Sequence, residues 1–404
     1  MSLAAPILFF AAMPGEVLPL TPEMAVTSLP SKRDGQSSAS EGHATFGGYF
    51  QALGQMLAEN SFAIPMAGVK SQLGEDLEVS HVREWRVVAE KHGAFYHPAR
   101  VEAVTERGTA VLAANVALSD PGRAAAEREY ALLSALQKGR KQSFIPTPYG
   151  LGRTPCPLEG GGSTEAMALF CQWYAGYCEF HLSVNPASGK HGVIVWDNQG
   201  GHFFLDQSQA ASLYEKAAAI LSYYYDPENF RQIFPWHHAA GDFVVKVEDG
   251  VTDVRLITVR QYEGMIEAQE GADLESRVEA ALYFLANLTM RMRLDRLDGV
   301  GDLVLAEDSE VFPCVRGIFQ GLAAREKESG EKGDFHSILL DICRELPQET
   351  WRNLCLELVE ASSSQAPDRP LLLAHIEEHA QALVEAFSKS TGGPFFVDKG
   401  AVLL

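Results

Sequence analysis

Three runs of β-branched and aromatic residues, at 84–90, 94–104 and 109–118, are the feature that most constrains the fold of this chain. The short segments between them, Lys91-His92-Gly93 and Glu106-Arg107-Gly108, are polar and end in glycine. Runs of this length, separated by glycine-containing turns, are typical of strands joined by tight connections. The pattern therefore predicts a three-stranded antiparallel meander.

A helix is predicted directly after this meander. Asp120 and Pro121 supply an N-cap and a proline at the first helical position, and an apolar stripe follows them. Beyond the helix, the runs at 148–151 and 166–173 predict two more strands, and 155–164, rich in glycine and proline, predicts a loop. The order strand, strand, strand, helix, strand, strand predicts a compact α+β lobe.

Beyond Tyr174 the pattern becomes mostly helical. Asp206 followed three residues later by Gln209 resembles a capping box and predicts the start of a helix. Two β-rich runs at 241–247 and 254–262, with a Glu-Asp-Gly turn between them, predict a β-hairpin. Further helices are predicted over four ranges: 278–292, 334–346, 348–361 and 370–388.

The N-terminal region carries weaker signals. Residues 21–45 are rich in Ser, Thr, Pro and Gly, and a short predicted helix around Phe50, Leu53 and Leu57 has no evident core to join. At 404 residues the chain is long enough for two cores. The predicted divisions are a tail and N-terminal extension over 1–80, a first lobe over 81–174, and a helical second lobe with a central β-hairpin over 175–404.

The charge balance limits the classes of partner. The formal net charge of −20 makes the average surface repel nucleic-acid phosphates and anionic lipid headgroups. The six cysteines form no CxxC pair, which favours reduced thiols in the cytoplasm. The apolar segment at 4–12 resembles an export signal, but no Lys or Arg precedes it. We expect a cytoplasmic protein that binds neither nucleic acid nor a membrane.

A Gly-Asp pair, Gly241-Asp242, closes the histidine-rich stretch at 236–242. The chain resembles the protein-kinase-like superfamily in its order of elements: five predicted strands, a helix after the third strand, and a hairpin in a helical second lobe. The Gly-Asp pair makes it more similar to the aminoglycoside and choline phosphotransferase branch. The resemblance covers about residues 84–295. It implies a two-lobed fold, ATP as a ligand, and phosphate transfer to a small hydroxyl-containing molecule.

In that family a lysine on the third strand holds the nucleotide phosphates and pairs with a glutamate on the next helix. The resemblance places Asn115 at the lysine position and Glu129 at the glutamate position. An amide can donate hydrogen bonds to phosphate but cannot neutralise its charge. Trp173, in the aromatic hinge at 173–177, would suit stacking against a flat ring. These residues imply weak nucleotide binding.

The resemblance also implies catalytic and metal-binding positions. Asp242, with His238 beside it, takes the place of the catalytic aspartate, which accepts the proton of the attacking hydroxyl. Val247 and Thr258 take the places of the two metal-binding residues, so magnesium would lose both of its protein ligands. This pattern favours a degenerate, pseudokinase-like module that binds a small molecule, a nucleotide or a partner protein. An active ATP-dependent phosphotransferase is the alternative.

A third reading uses the residues without the family. If 237–242 forms a turn, His237, His238 and Asp242 could converge on a metal ion, with Glu179 or His181 completing a mixed nitrogen and oxygen site. The chain has no HExxH motif to support such an enzyme. The reading favoured over a metal site is that these histidines hydrogen-bond to nearby backbone groups, as buried polar groups must.

Overall fold

The computed structural model describes residues 5–13, 16–30, 43–90, 95–197, 200–234, 240–266, 272–330 and 334–389. They form a protein of mixed α+β class, which confirms the predicted class. The chain divides into two compact units. Unit 1 contains Met1–Lys138 and Pro146–Ala175, and unit 2 contains Gly139–Ile145 and Gly176–Leu404.

The strands of unit 1 are β1 (Ile7–Met13), β2 (Glu16–Pro19), β3 (Val82–Ala89), β4 (His97–Thr105), β5 (Gly108–Ala117), β6 (Pro148–Pro157) and β7 (Ser163–Gln172). They form one seven-stranded sheet in the order β2-β1-β3-β4-β5-β7-β6. The predicted antiparallel meander is confirmed as β3, β4 and β5. The prediction of a five-stranded antiparallel sheet is wrong in extent, because β1 and β2 enlarge the sheet and β1 runs parallel to β3.

The apolar segment that resembles an export signal forms most of β1. Phe9 lies opposite Val87 of β3, and its ring centroid is 5.0 Å from that of Phe50. Ala11 in the same strand is 2% exposed. The apolar run is therefore explained by burial in a sheet, which periodicity alone does not distinguish from other apolar segments.

The helices of unit 1 are α1 (Pro22–Ala25), α2 (Phe46–Ala58), α3 (Ala63–Leu73) and α4 (Asp120–Gln137). The predicted helix after the meander is α4, but its N-cap is Ser119, whose hydroxyl accepts a hydrogen bond from Gly122 N at 3.3 Å. Pro121 lies in the first turn, where its missing N–H removes no helical hydrogen bond. The predicted helix is confirmed with its start shifted by one residue.

The core of unit 1 lies between the sheet and helices α2 and α3. Tyr49, Phe50 and Leu53 of α2 are almost fully buried against sheet residues such as Val101 and Leu112. The sequence predicted this helix but offered no core for it. The core is formed by strands far along the chain, so a local pattern could not reveal it.

The strands of unit 2 are β8 (Phe180–Val184), β9 (His191–Val195), β10 (Phe203–Phe204), β11 (Arg231–Ile233), β12 (Phe243–Glu248), β13 (Val251–Leu256), β14 (Tyr262–Gly264), β15 (Leu294–Arg296) and β16 (Leu303–Leu305). They pair as one three-stranded sheet, β10-β9-β8, and three two-stranded ones, β11-β14, β12-β13 and β15-β16. The predicted hairpin is confirmed as β12 and β13. The expectation that the chain turns helical directly after Tyr174 is wrong, because β8, β9 and β10 come first.

The helices of unit 2 are α5 (Gln207–Tyr223), α6 (Leu274–Arg291), α7 (Val311–Ser329), α8 (Phe335–Glu345), α9 (Gln348–Ala361), α10 (Arg369–Ala374) and α11 (Ile376–Ser388). The capping box before α5 is confirmed, since Gln209 N donates to Asp206 Oδ1 at 2.8 Å and Asp206 N donates to Gln209 Oε1 at 3.0 Å. The helix predicted over 370–388 is interrupted at His375.

Two predicted boundaries are also wrong. The loop expected over 155–164 is shorter, because β6 continues to Pro157 and β7 begins at Ser163. The second hairpin strand occupies Val251–Leu256 rather than 254–262. In both places glycine marks the turn correctly. The strands extend closer to that turn than the residue types suggest, because the two strands hydrogen-bond to each other up to it.

Candidate functional site

Asp242 lies at the open end of the β12–β13 hairpin. It is 4% exposed, and β12 begins at the next residue, Phe243. The backbone N–H of Ile257, directly after β13, donates to the Asp242 carbonyl at 2.9 Å. This bond continues the hairpin pairing by one step and fixes the backbone of Asp242 beside the segment that follows β13.

The Asp242 carboxylate forms an ion pair with Arg260. Arg260 Nη2 lies 2.6 Å from Asp242 Oδ1. The two side chains differ in burial, with 6% of the aspartate side chain exposed and 36% of the arginine side chain. A buried carboxylate needs a charged or hydrogen-bonding partner, so the guanidinium compensates the burial of Asp242.

Thr258 lies in the same short segment, two residues before Arg260, and is half-buried. Val247 lies inside β12, opposite Thr252 of β13. The hairpin therefore brings the segment of Thr258 next to Asp242, and the charged group that contacts Asp242 there is Arg260. Neither Val247 nor Thr258 supplies a carboxylate or an amide, which are the ligand types that magnesium selects.

The backbone on both sides of Arg260 is held by hydrogen bonds. Ile257 is bound to Asp242 on one side, and Gln261 O accepts a hydrogen bond from Phe234 N at 3.1 Å on the other. Immediately beyond, β14 pairs with β11. Arg260 is therefore presented by a short segment that is fixed at both of its ends.

His237 and His238 lie outside the described residues, so the cluster predicted around them and Asp242 stays a prediction. His181 and Glu179, which were considered as further members, are described. Glu179 O accepts a hydrogen bond from Trp196 N at 2.9 Å, and His181 is buried.

His181 forms a buried pair with Asp295. Its Nδ1 is 3.3 Å from both carboxylate oxygens, and it donates because an ionised carboxylate can only accept. The same carboxylate accepts from the backbone N–H groups of Leu182 at 2.6 Å and Arg296 at 2.7 Å. Ala240 lines the same small hollow as these two side chains, so the pair lies close to the residue two positions before Asp242.

In unit 1, Asn115 and Glu129 lie on the same side of the sheet. Asn115 is two residues beyond Ala113, which is directly opposite Cys171, so all three side chains point to one face. Burial and, to a lesser degree, the Glu129 carboxylate raise the pKa of the Cys171 thiol, which places Glu129 of α4 near this face. The structure therefore puts the predicted pair on the same face.

Glu129 is 2% exposed, and Tyr96 donates its hydroxyl hydrogen to Glu129 Oε2 at 2.9 Å. Arg100 also belongs to this face, because it lies opposite Ala113 in the β4–β5 pairing. Its guanidinium contacts the carboxylates of Glu90, at 3.0 Å, and Glu102. The charge of Arg100, two positions along β4 from the residue opposite Asn115, is therefore already matched by two carboxylates.

The predicted site residues are divided between the two units. Asn115, Glu129 and Trp173 belong to unit 1, and Trp173 is half-buried just after β7. Asp242 and Thr258 belong to unit 2. Within unit 1 the structure puts Asn115 and Glu129 on one side of the sheet, and within unit 2 it brings the segment of Thr258 beside Asp242.

Sequence reasoning missed Arg260 and Asp295. Arg260 is two positions beyond Thr258, which the sequence had singled out, and a basic residue there was a signal that could have been used. Asp295 is 114 residues from His181, and no local pattern connects them.

Across the residues that the structure describes, no group of three or more His, Cys, Asp or Glu side chains is arranged to hold a metal ion. No helix in the described ranges is both long and apolar enough to cross a bilayer. Comparison of the chain with protein-family models gives no match, and neither does comparison with curated proteins.

Proposed function

We propose that this chain is a kinase-like protein, related to small-molecule phosphotransferases, that binds a nucleotide or another small ligand and does not transfer phosphate. Two architectural features support the relationship. Strands β3 to β7 are antiparallel and carry one helix after the third strand, and a β-hairpin with Asp242 at its open end follows in unit 2.

The Asp242–Arg260 ion pair carries the proposal. In an active phosphotransferase, the aspartate at this position accepts a proton from the attacking hydroxyl. Here a guanidinium lies 2.6 Å from its Oδ1. With one oxygen of the carboxylate already held by a guanidinium, a substrate hydroxyl would have to compete with Arg260 for this acceptor. The arrangement suits a structural role for Asp242 better than a catalytic one.

The residues around the hairpin also disfavour phosphate transfer. Phosphoryl transfer depends almost entirely on positioning and on stabilisation of negative charge by cations. Val247 and Thr258 provide no magnesium ligand of the usual kind, and Asn115 provides no charge for the phosphates. Binding that requires no divalent metal is consistent with all three residues.

The proposal is tested by incubating the protein with ATP, with magnesium or manganese, and with a panel of small hydroxyl compounds. We expect no transfer of the γ-phosphate, and a modest rise in melting temperature on adding ATP that does not depend on metal. Reproducible transfer by the wild type that disappears in an Asp242→Asn protein of unchanged melting temperature would establish the alternative, an active phosphotransferase.

Asp242→Asn should lower the free energy of unfolding by about 1–3 kcal/mol, because it removes the charge from a buried carboxylate that is paired with Arg260. Denaturant unfolding followed by circular dichroism measures this loss. Asp249→Asn is the matched control, since Asp249 is exposed at the hairpin turn with φ of 51°, a conformation that asparagine tolerates. Equal stability of the two variants would contradict the structural role of Asp242.

A further inference from the structure

We infer that His379 is a latch on helix α11: it holds the helix in place only while its imidazole is neutral, and acidification releases the helix. His379 lies in the first turn of α11 and is 1% exposed. Its Nδ1 is 3.0 Å from Arg293 Nη2, and its Nε2 is 3.2 Å from Thr289 Oγ1. Thr289 belongs to α6, and Arg293 follows that helix. Both ring nitrogens therefore hold α11 to another part of unit 2.

The two partners determine where the imidazole carries its proton. A guanidinium has donors but no acceptor, so Nδ1 of His379 accepts the hydrogen bond from Arg293 and has no room for a proton of its own. The Thr289 hydroxyl donates to Leu285 O at 2.9 Å, so its oxygen is left to accept from the Nε2–H of His379. The site therefore admits one form of His379, the neutral ring with its proton on Nε2.

Arg293 is held in place by groups other than His379. It is 1% exposed, and its Nη1 donates to Ala306 O at 3.0 Å and to Asp308 Oδ1 at 2.7 Å. Because the guanidinium is a rigid plane, these bonds also fix the direction of Nη2 toward His379. A proton on Nδ1 would face an N–H of this cation. The pair would lose its hydrogen bond and place two positive charges side by side in a buried site.

Among the described residues, the titratable groups around this pair do not compensate a second positive charge. Asp308 is already paired with Arg293. Burial, and then the charge of Glu307, raise the pKa of Glu310 to about 7, so this residue, directly before α7, becomes neutral as the pH falls. The buried residue of α10 is apolar, and the acidic residues of α11 itself are exposed. The other helices packed on α11 contribute buried thiols whose pKa is raised by burial: Cys314 of α7, Cys343 of α8 and Cys355 of α9.

The direction of the pH effect follows from these contacts. Burial, and then the charge of Arg293, lower the pKa of His379 well below its usual range. On a released helix the same side chain would regain a pKa near about 6.5. The docked helix thus binds this proton more weakly than the released one. Docking is strongest above about pH 6.5 and weakens by about tenfold for each unit below it, until the docked ring is itself protonated.

Helix α11 can leave as a unit because it is buried along one face. Its buried side chains include Ala380, Leu383 and Phe387, and its exposed side chains include Glu378 and Gln381. The helical path is interrupted between α10 and α11. Release of α11 therefore exposes an apolar stripe and keeps the helices beneath it. Local openings of this kind require less free energy than global unfolding.

The experiment is hydrogen exchange of the full chain between about pH 4.5 and 6.5, a range in which a free histidine gains its proton and ordinary carboxylates stay mostly ionised. Mass spectrometry reads peptides from α11 and, as an internal reference, from α6, with each rate corrected for the intrinsic pH dependence of amide exchange. We expect the opening constant of α11 to rise about tenfold for each unit by which the pH falls. The opening constant of α6 should not follow this slope.

His379→Gln tests the latch directly, because glutamine keeps one acceptor and one donor but binds no proton in this range. We expect protection of α11 that does not change with pH. His375→Gln is the matched control, since it removes an exposed imidazole four positions earlier and should keep the wild-type slope. Glu310→Gln should also keep that slope, which separates the latch from the titration of Glu310.

A flat profile for α11 in the wild type would overturn the latch, and so would the wild-type slope in His379→Gln or its loss in either control. An equal slope in α6 would overturn it too, because the change would then be global unfolding. If His379→Gln does not fold, the comparison of α11 with α6 in the wild type and in the two controls still decides between these outcomes.

Discussion

Unit 1 and unit 2 differ in what they bury. Among the described residues, the buried polar or charged side chains of unit 1 are Thr105 and Glu129, whereas unit 2 buries the ionisable groups His181, Asp242, Arg293, Asp295, Glu310, Glu326 and His379. The core of unit 1 is formed by apolar side chains between a sheet and two helices.

The difference changes what holds each unit together. Apolar burial stabilises in proportion to area and depends little on pH. Buried charges stabilise only when each has a partner, and removing one partner leaves the other uncompensated. The stability of unit 1 should therefore be most sensitive to a loss of side-chain volume in its core. The stability of unit 2 should be most sensitive to pH and to the loss of a buried charge's partner. Three measurements test this contrast.

The largest expected effect is in unit 1. Trp85 is fully buried and its ring stacks on Phe62, with centroids 5.1 Å apart. Trp85→Ala should lower the free energy of unfolding by about 3–5 kcal/mol, because it leaves a large cavity. Denaturant unfolding of the full chain measures the loss.

Trp85→Phe is the control. It keeps an aromatic ring and removes the indole Nε1, which has no hydrogen-bond partner among the described residues. It should cost well under half as much as alanine. If Trp85→Phe were as harmful as Trp85→Ala, volume would not be what unit 1 depends on.

A somewhat smaller effect is expected from Asp295→Ala in unit 2. The change removes the acceptor for three groups: Leu182 N, Arg296 N and His181 Nδ1. The bonds from Leu182 and His181 are buried, and the bond from Arg296 is partly buried. We expect a loss of about 3 kcal/mol, at the lower end for breaking a buried charged pair. Asp295→Asn, which keeps one acceptor oxygen, should lose less, and stability unchanged in both variants would end the contrast between the units.

The smallest effect concerns pH. Glu310 is 9% exposed, and its Oε2 has no hydrogen-bond partner among the described residues. Burial, and then the charge of Glu307, raise the pKa of Glu310 from 4.5 to about 7, while Arg293 opposes the shift. The folded protein thus holds this proton more tightly than the unfolded chain, so the stability that the neutral carboxyl contributes is present at low pH and is lost as pH rises toward 7.

Comparing the wild type with Glu310→Gln isolates this contribution. Between about pH 5 and 7, the wild type should lose about 2 kcal/mol relative to the variant. Burial, and then the charge of Arg293, lower the pKa of His379, so this histidine acts in the opposite direction below about pH 6.5, but it is present in both proteins. Parallel stability profiles for the two proteins would show that Glu310 does not titrate in this range.

The sequence predicted best where neighbouring residues decide the structure. The meander, the helix after it, the Asp206 capping box and the β12–β13 hairpin all depend on residues within a few positions of one another. These include the glycines at turns, the cap hydrogen bonds and the alternation of apolar residues. At 155–164 and 254–262 the predicted boundaries were wrong, but the predicted types, a loop and a hairpin strand, were right.

The candidate site was predicted less completely. The sequence singled out Asp242 and Thr258 through a family pattern, and the structure adds Arg260 as the ion-pair partner of Asp242. The pattern names the positions where chemistry is expected but not the side chains that pair with them in the fold. That information depends on the path of the chain after β13, which no spacing rule fixes.

The sequence by itself determined the α+β class, the order of the central elements and the acidic surface, because composition and short-range periodicity act through local hydrogen bonds and solvation. Only the tertiary structure decided that an apolar N-terminal segment becomes β1 beside β3, that α2 has a core to join, and that Asp295 meets His181. Each of these depends on contact between residues tens to more than a hundred positions apart. Such a contact forms only when its burial outweighs the entropy lost in closing the intervening chain, which a local pattern does not record.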